Sequence, residues 1–183
     1  MSDVIIGIDP SINSTGICIK RGNDTIYYMV VSKMTKKMKE FNNQYIKIVQ
    51  YNKQPTTNLD YSEKEYIKSM NMGSLESIID NLINIYRPSH VLMEGISYGS
   101  VSGSSLADLS GLNYMIRMIL VKRQIKFTII PPTAVKKFAV ANGSADKSII
   151  IDAWKRLDPN ISNINDIKVD DLADSYFIAN YKP

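Results

Sequence analysis

Two apolar runs in this chain end on a carboxylate. DVIIGID closes on Asp9, and HVLMEG finishes on Glu94 and a glycine. A third acidic feature, DLADSYFIA, carries Asp171 and Asp174 at a spacing that puts both on one face of a helix. An ionised carboxylate taken out of water costs several kcal/mol unless something neutralises it, and no Lys or Arg lies near Asp9 before Lys20. If the acidic helix packs beside the two strand ends, four carboxylates converge and raise one another's pKa. A divalent cation is the natural neutraliser. Donors that are all carboxylate, with no histidine or thiolate, suit Mg²⁺ or Mn²⁺ better than zinc, and two such ions are the usual device for phosphodiester hydrolysis. Singly, each acid has an ordinary explanation, as a turn or cap residue or as a partner of a helix dipole. The combination is what points to chemistry.

These acids need elements to position them. Residues 3–9, 15–20 and 25–31 read as three short strands separated by the turn signals PSIN and RGND, a hairpin meander. Residues 33–70 are polar, rich in Lys, Asn, Gln and Tyr, with Pro55 inside and no sustained apolar period; they read as an insertion or arm. Leu75, Ile78, Ile79, Leu82, Ile83 and Tyr86 recur at helical spacing after Gly73 and Ser74, and Arg87-Pro88 stops them. A buried strand at 90–95, a helix at 104–122 and a strand at 126–132 follow. Helices at 133–141, 146–157 (with Ser144 or Asp146 as cap) and 169–181 complete the order. Three hairpin strands followed by alternating helices and strands predict one mixed α/β domain over 1–183, with helices on both faces of the sheet.

Composition sets the bounds. With 183 residues, 44% hydrophobic and 22% charged, the chain is ordinary for a globular domain. A net charge of +4 and a pI near 9.0 permit a polyanionic partner. The lone Cys18 rules out an intramolecular disulfide and, within an apolar alternation, reads as packing. The acidic start MSDVIIGID lacks the basic residues of a secretory signal, so a cytoplasmic location is expected. The most apolar window, MIRMILV, is broken by Arg117, and no membrane span is expected. His90 lies too far along its strand from Glu94 to share a metal with it, and with Trp154 it reads as structural.

GIDPSINSTG also looks like the first phosphate loop of the actin and sugar-kinase ATPases. That fold needs a duplicated second domain and an adenosine motif, for which 183 residues leave no room; no nucleotide cofactor is expected. A second resemblance covers nearly the whole chain outside 33–70. IIGIDPSINSTGICI, MEGISYGSVSGSSLADL, VKKFAVANGSADKS and DLADSYFIA resemble, in order, four motifs of the RuvC-type Holliday-junction resolvases, particularly those of bacteriophages. The resemblance implies a ribonuclease-H-like fold with a central sheet of five strands, three antiparallel and then two parallel. It implies Asp9, Glu94, Asp171 and Asp174 as ligands of two Mg²⁺ (or Mn²⁺) ions, with Asp170 the alternative if the register is off by one. It also implies cleavage of four-way and branched DNA to 5′-phosphate and 3′-hydroxyl ends.

By the same resemblance Lys147 would serve the scissile phosphate or the charge developing on it, and Lys136 would contact DNA, with Lys137 beside it on the backbone. The family's bacterial members place an aromatic three residues after the strand-end Glu. Here that position is Ser97, with Tyr98 next, so both are candidates for the junction crossover. The family dimerises through the helix after the second acid, here 104–122, whose Tyr114, Met115 and Met118 add apolar surface beyond one face. The basic run KMTKKMK at 33–39 would either embrace a DNA arm or be a solvated excursion. Two rival functions stand beside this one: a ribonuclease H on the same fold, and a catalytically silent module that binds branched DNA.

Overall fold

The computed structural model describes residues 3–96, 103–161 and 169–182. Its centre is a six-stranded sheet. In chain order the strands and helices are β1 (Val4–Asp9), β2 (Ser14–Arg21), β3 (Asp24–Val31), α1 (Lys36–Glu40), β4 (Ile46–Gln50), α2 (Tyr61–Tyr86) and β5 (His90–Glu94). They continue with α3 (Ser104–Lys122), β6 (Lys126–Ile130), α4 (Pro132–Val140), α5 (Lys147–Leu157) and α6 (Asp170–Asn180). The sheet order is β4-β3-β2-β1-β5-β6. Antiparallel pairing joins β1 to β2 and β2 to β3, and the β1–β5, β5–β6 and β3–β4 pairs are parallel.

Residue alternation divides the core between the two faces of this sheet. Ile6, Ile8, Ile17, Val91 and Met93 face α2 and α3, where they meet Leu75, Ile79, Leu112 and Ile116. Cys18, Tyr27, Met29 and Leu92 face the other way and pack with Val135, Ile150, Trp154, Phe177 and Ile178 of α4, α5 and α6. Cys18 is fully buried in this second layer, which raises its thiol pKa, and its role is packing as expected. Trp154 is structural too: it donates through Nε1 to the Tyr27 hydroxyl (2.9 Å), which donates to Asp158 (2.6 Å).

The expected five strands are six. The segment 33–70, read as an insertion or arm with no sustained apolar period, supplies α1, β4 and the first turns of α2. In IKIVQ, Ile46 and Ile48 are buried against the α6 side of the sheet, an alternation too short to stand out from the polar residues around it. The long helix starts at Tyr61 rather than after Gly73. Its opening turns carry exposed Tyr61, Tyr66 and Met70, so no buried stripe marks them. They are held instead by a capping box, in which Asp60 accepts from the Glu63 amide and the Glu63 side chain accepts from the Asp60 amide. Asp146 is the N-cap residue of α5, but without a side-chain capping bond. Among the described residues no helix is long and apolar enough to cross a membrane.

Candidate active site

The alternation that sorts the core also aims the acids. Asp9 has the parity of Gly7, whose backbone lies under α6, and Glu94 has the parity of Leu92, which packs in the same layer. The two strands pair in parallel up to Ile8 and Met93. One residue further, Asp9 and Glu94 emerge side by side on the face that α6 covers.

Helix α6 comes close because two glycines make room for it. A Cβ on Gly7 would stand 2.4 Å from the Ala179 nitrogen and the Ser175 carbonyl oxygen, and one on Gly16 would stand 2.0 Å from the Asp171 carbonyl oxygen. Gly16 is also the β2 partner of Asp9. The first turn of α6 therefore rests on the residue next to Asp9, and Asp171 and Asp174 are drawn toward the strand ends. Two further contacts hold the strand ends. The Thr15 hydroxyl donates to the Ser11 carbonyl (2.6 Å) and accepts from the Ser11 amide (3.1 Å), which closes the turn after Asp9. Asn113, buried on α3, donates to the Glu94 carbonyl oxygen at 3.1 Å. Neither Gly16 nor Asn113 was singled out from the sequence, though glycine inside a strand signals close backbone approach and a lone Asn on an apolar helix face signals a polar duty.

Electrostatics ties the four acids together. Burial, followed by the charges of Glu94, Asp174 and Asp171, pushes the Asp9 carboxyl well above the usual carboxylate range. Burial and the Asp174 charge raise Glu94 to about 7, against the opposing pull of its hydrogen bond from Asp9 and of Lys136. Burial and the charges of Asp171 and Asp170 raise Asp174 to about 6, opposed by Lys147 and Lys136. Among the described residues no three such side chains stand close enough round one point to hold an ion. Asp9 and Glu94 instead meet each other across a hydrogen bond, as two acids do when one keeps its proton. An all-oxygen donor set that burial and mutual repulsion drive toward protonation fits a hard divalent cation, which would replace that proton.

The lysines flank this cluster unequally. Lys147, the first residue of α5, is exposed and forms an ion pair with Asp170; that bond raises its pKa, and it also feels Asp171 and Asp174. Asp170 thus faces Lys147, while Asp171 acts on Asp9. Lys136 is half-buried on α4 and acts on both Glu94 and Asp174, whereas Lys137 is exposed. Ser97 and Tyr98 lie outside the described residues. His90 sits at the start of β5, away from Glu94, with its Nε2 2.9 Å from the Thr128 hydroxyl.

No protein-family model matches the sequence, and no curated protein does. Solved structures do. The chain superposes on Thermus thermophilus RuvC with a TM-score of 0.59 at 14% identity, over 96% of this chain and 90% of that one. On T. thermophilus RuvC in complex with a Holliday junction substrate the TM-score is 0.62 at 16% identity, over 97% and 90%. On the yeast mitochondrial Holliday junction resolvase Ydc2 it is 0.52 at 19% identity, over 97% and 76%. With its mixed sheet, its helices on both faces and its acids at the ends of two parallel strands, the chain has the fold of the RuvC-type resolvases.

Proposed function

We propose that this protein is a divalent-metal-dependent, structure-selective DNA endonuclease that resolves four-way junctions and related branched DNA. The observation that carries the reading is Asp9: a buried carboxyl on a RuvC-type fold, held toward its protonated form by burial and by three further acids from two other elements. Asp9, Glu94, Asp171 and Asp174 would hold two Mg²⁺ or Mn²⁺ ions, which supply water activation and charge neutralisation for phosphodiester hydrolysis, leaving 5′-phosphate and 3′-hydroxyl ends. Lys147, exposed at the start of α5, exchanges Asp170 for a phosphate and contacts the scissile group. Lys136 offsets the negative charge of Glu94 and Asp174, and Lys137 touches DNA backbone further out. Tyr98 and Ser97 are assigned to the crossover by their place after Glu94.

A four-way junction offers two strands of like polarity, so a two-fold dimer supplies both nicks. On α3, Tyr114, Met118 and Val121 follow one another at helical spacing and are 56%, 51% and 55% exposed, an apolar face that suits a second copy. The test is to incubate the protein with an end-labelled immobile junction, a linear duplex and an RNA/DNA hybrid, in Mg²⁺ or in EDTA. Paired symmetric nicks in the junction alone, lost in EDTA, are expected. Binding without cleavage would indicate a silent module, and cleavage of the hybrid alone a ribonuclease H.

A further inference from the structure

Resting on the nuclease reading above, we infer that the segment between β3 and α2 is a second DNA-binding surface, one that grips the backbone of a duplex arm leaving the active site on the β4 side of the sheet. The charge distribution is the first observation. Residues 33–53 hold six lysines (33, 36, 37, 39, 47 and 53) and one acid, Glu40, a net +5. The whole chain is +4, so everything outside these 21 residues sums to −1. The basicity of the protein therefore resides in this segment.

The fold sets where that charge sits. Strand β3 runs parallel to β1, and β4 parallel to β3, so the C-terminal ends of β3 and β4 lie on the same sheet edge as Asp9. Lys33 follows one of these ends and Lys53 the other. Side-chain contacts hold the edge together: Lys53 Nζ donates to Asn13 Oδ1 (2.8 Å) and Tyr51 to the Ile12 carbonyl (2.6 Å), both in the loop that follows Asp9, and the Met34 amide donates to Gln50 Oε1 (3.3 Å). From this edge Lys36, Lys37 and Lys39 continue along α1, all exposed, while Met38 and Phe41 anchor the helix to the core. Among the described residues none of the six lysines forms an ion pair. Three strand spacings separate β4 from β1, about 14 Å, or roughly four base-pair rises of duplex.

A polyanion approaching four carboxylates is repelled unless cations flank them. Lys136 and Lys147 serve the α4 and α5 side, and this segment serves the other. A duplex arm, with its dense regular phosphates, matches the five exposed lysines that α1 and the loops beside it present.

The test measures binding of a labelled immobile junction in EDTA between 50 and 200 mM salt, for the wild type and for a variant with Lys33, Lys36, Lys37, Lys39 and Lys53 all changed to Gln. Five lost phosphate contacts would flatten the log–log salt slope by up to ~4.5, so the variant escapes as much as ~500-fold of the wild-type affinity loss over that range. Glu40→Lys, which needs no lysine removed, is expected to steepen the slope by ~1. Wild-type binding with the same slope in all three proteins overturns the assignment and leaves the nuclease reading standing. A wild type that binds no DNA overturns both.

Discussion

Raising the pH without divalent ions should destabilise this protein, and the carboxylate cluster sets the size of the loss. Glu94 is raised from 4.5 to about 7 and Asp174 from 3.8 to about 6, mainly by burial and then by their acidic neighbours. A group whose pKa is higher in the folded state contributes stability below its unfolded pKa and loses that stability as pH rises through the folded value. The window is therefore about pH 4 to 7. At ~1.4 kcal/mol per pH unit, Glu94 alone accounts for ~3 kcal/mol. Asp174 does not simply double this, because the two acids repel each other and share the same relief, and both keep some contact with water. A total of ~3 kcal/mol lowers the melting midpoint of a chain this size by ~6–12 °C. The assay is thermal unfolding in EDTA at pH 5 and pH 8, for the wild type and for Glu94→Gln. The wild type should lose stability toward pH 8, Glu94→Gln should lose much less, and Mg²⁺ should restore the wild type at pH 8. A wild-type profile that is flat or rises with pH, or one that Glu94→Gln leaves unchanged, would show that these carboxyls do not govern the pH dependence of stability.

Further outcomes follow from the same geometry. Gly16→Ala places a methyl against the Asp171 backbone and should cost ~1–3 kcal/mol, with a larger loss of cleavage than of DNA binding; thermal melts and single-turnover assays check both. Lys147→Ala should slow single-turnover cleavage by ~10² while junction affinity changes little, and an unchanged rate would return Lys147 to the solvated surface. Met118→Glu with Val121→Glu should shift sedimentation from dimer to monomer and replace paired nicks by single ones. Asn113→Leu, which removes the donor to the Glu94 carbonyl, should lower turnover more than binding if that bond aims the strand end.

Much of this architecture is legible in the residues, because the strongest signals are those of buried elements. Asp9 and Glu94 stand out as acids that end apolar runs, and parity then puts both on the α6 face. The spacing of Asp171 and Asp174 fits the same site, and the adjacent Asp170 forms an ion pair with Lys147 while its charge also acts on Asp174. What escapes is structure that has no full apolar stripe to announce it. Strand β4 buries only Ile46 and Ile48, and its parallel pairing to β3 is set by long-range contact. The opening turns of α2 depend on the Asp60–Glu63 capping box, whose D-x-x-E signature is present in the sequence, and on neighbours that its exposed tyrosines do not betray. Gly16 looks like a weak strand residue until α6 is laid across it.

The four-carboxylate site is tested most simply by single-turnover cleavage of an immobile four-way junction in Mg²⁺ by the wild type, Asp170→Asn and Asp171→Asn. The wild type should make paired symmetric nicks. Asp171→Asn should bind the junction but fail to cut it, because it removes one of the four carboxylates proposed to hold the metal. Asp170→Asn, which releases Lys147 and removes one charge acting on Asp174 but leaves the four proposed ligands in place, should keep most of the activity. Equal loss in the two variants, or cleavage that survives Asp171→Asn, would contradict the proposal that Asp9, Glu94, Asp171 and Asp174 form one metal-dependent nuclease site.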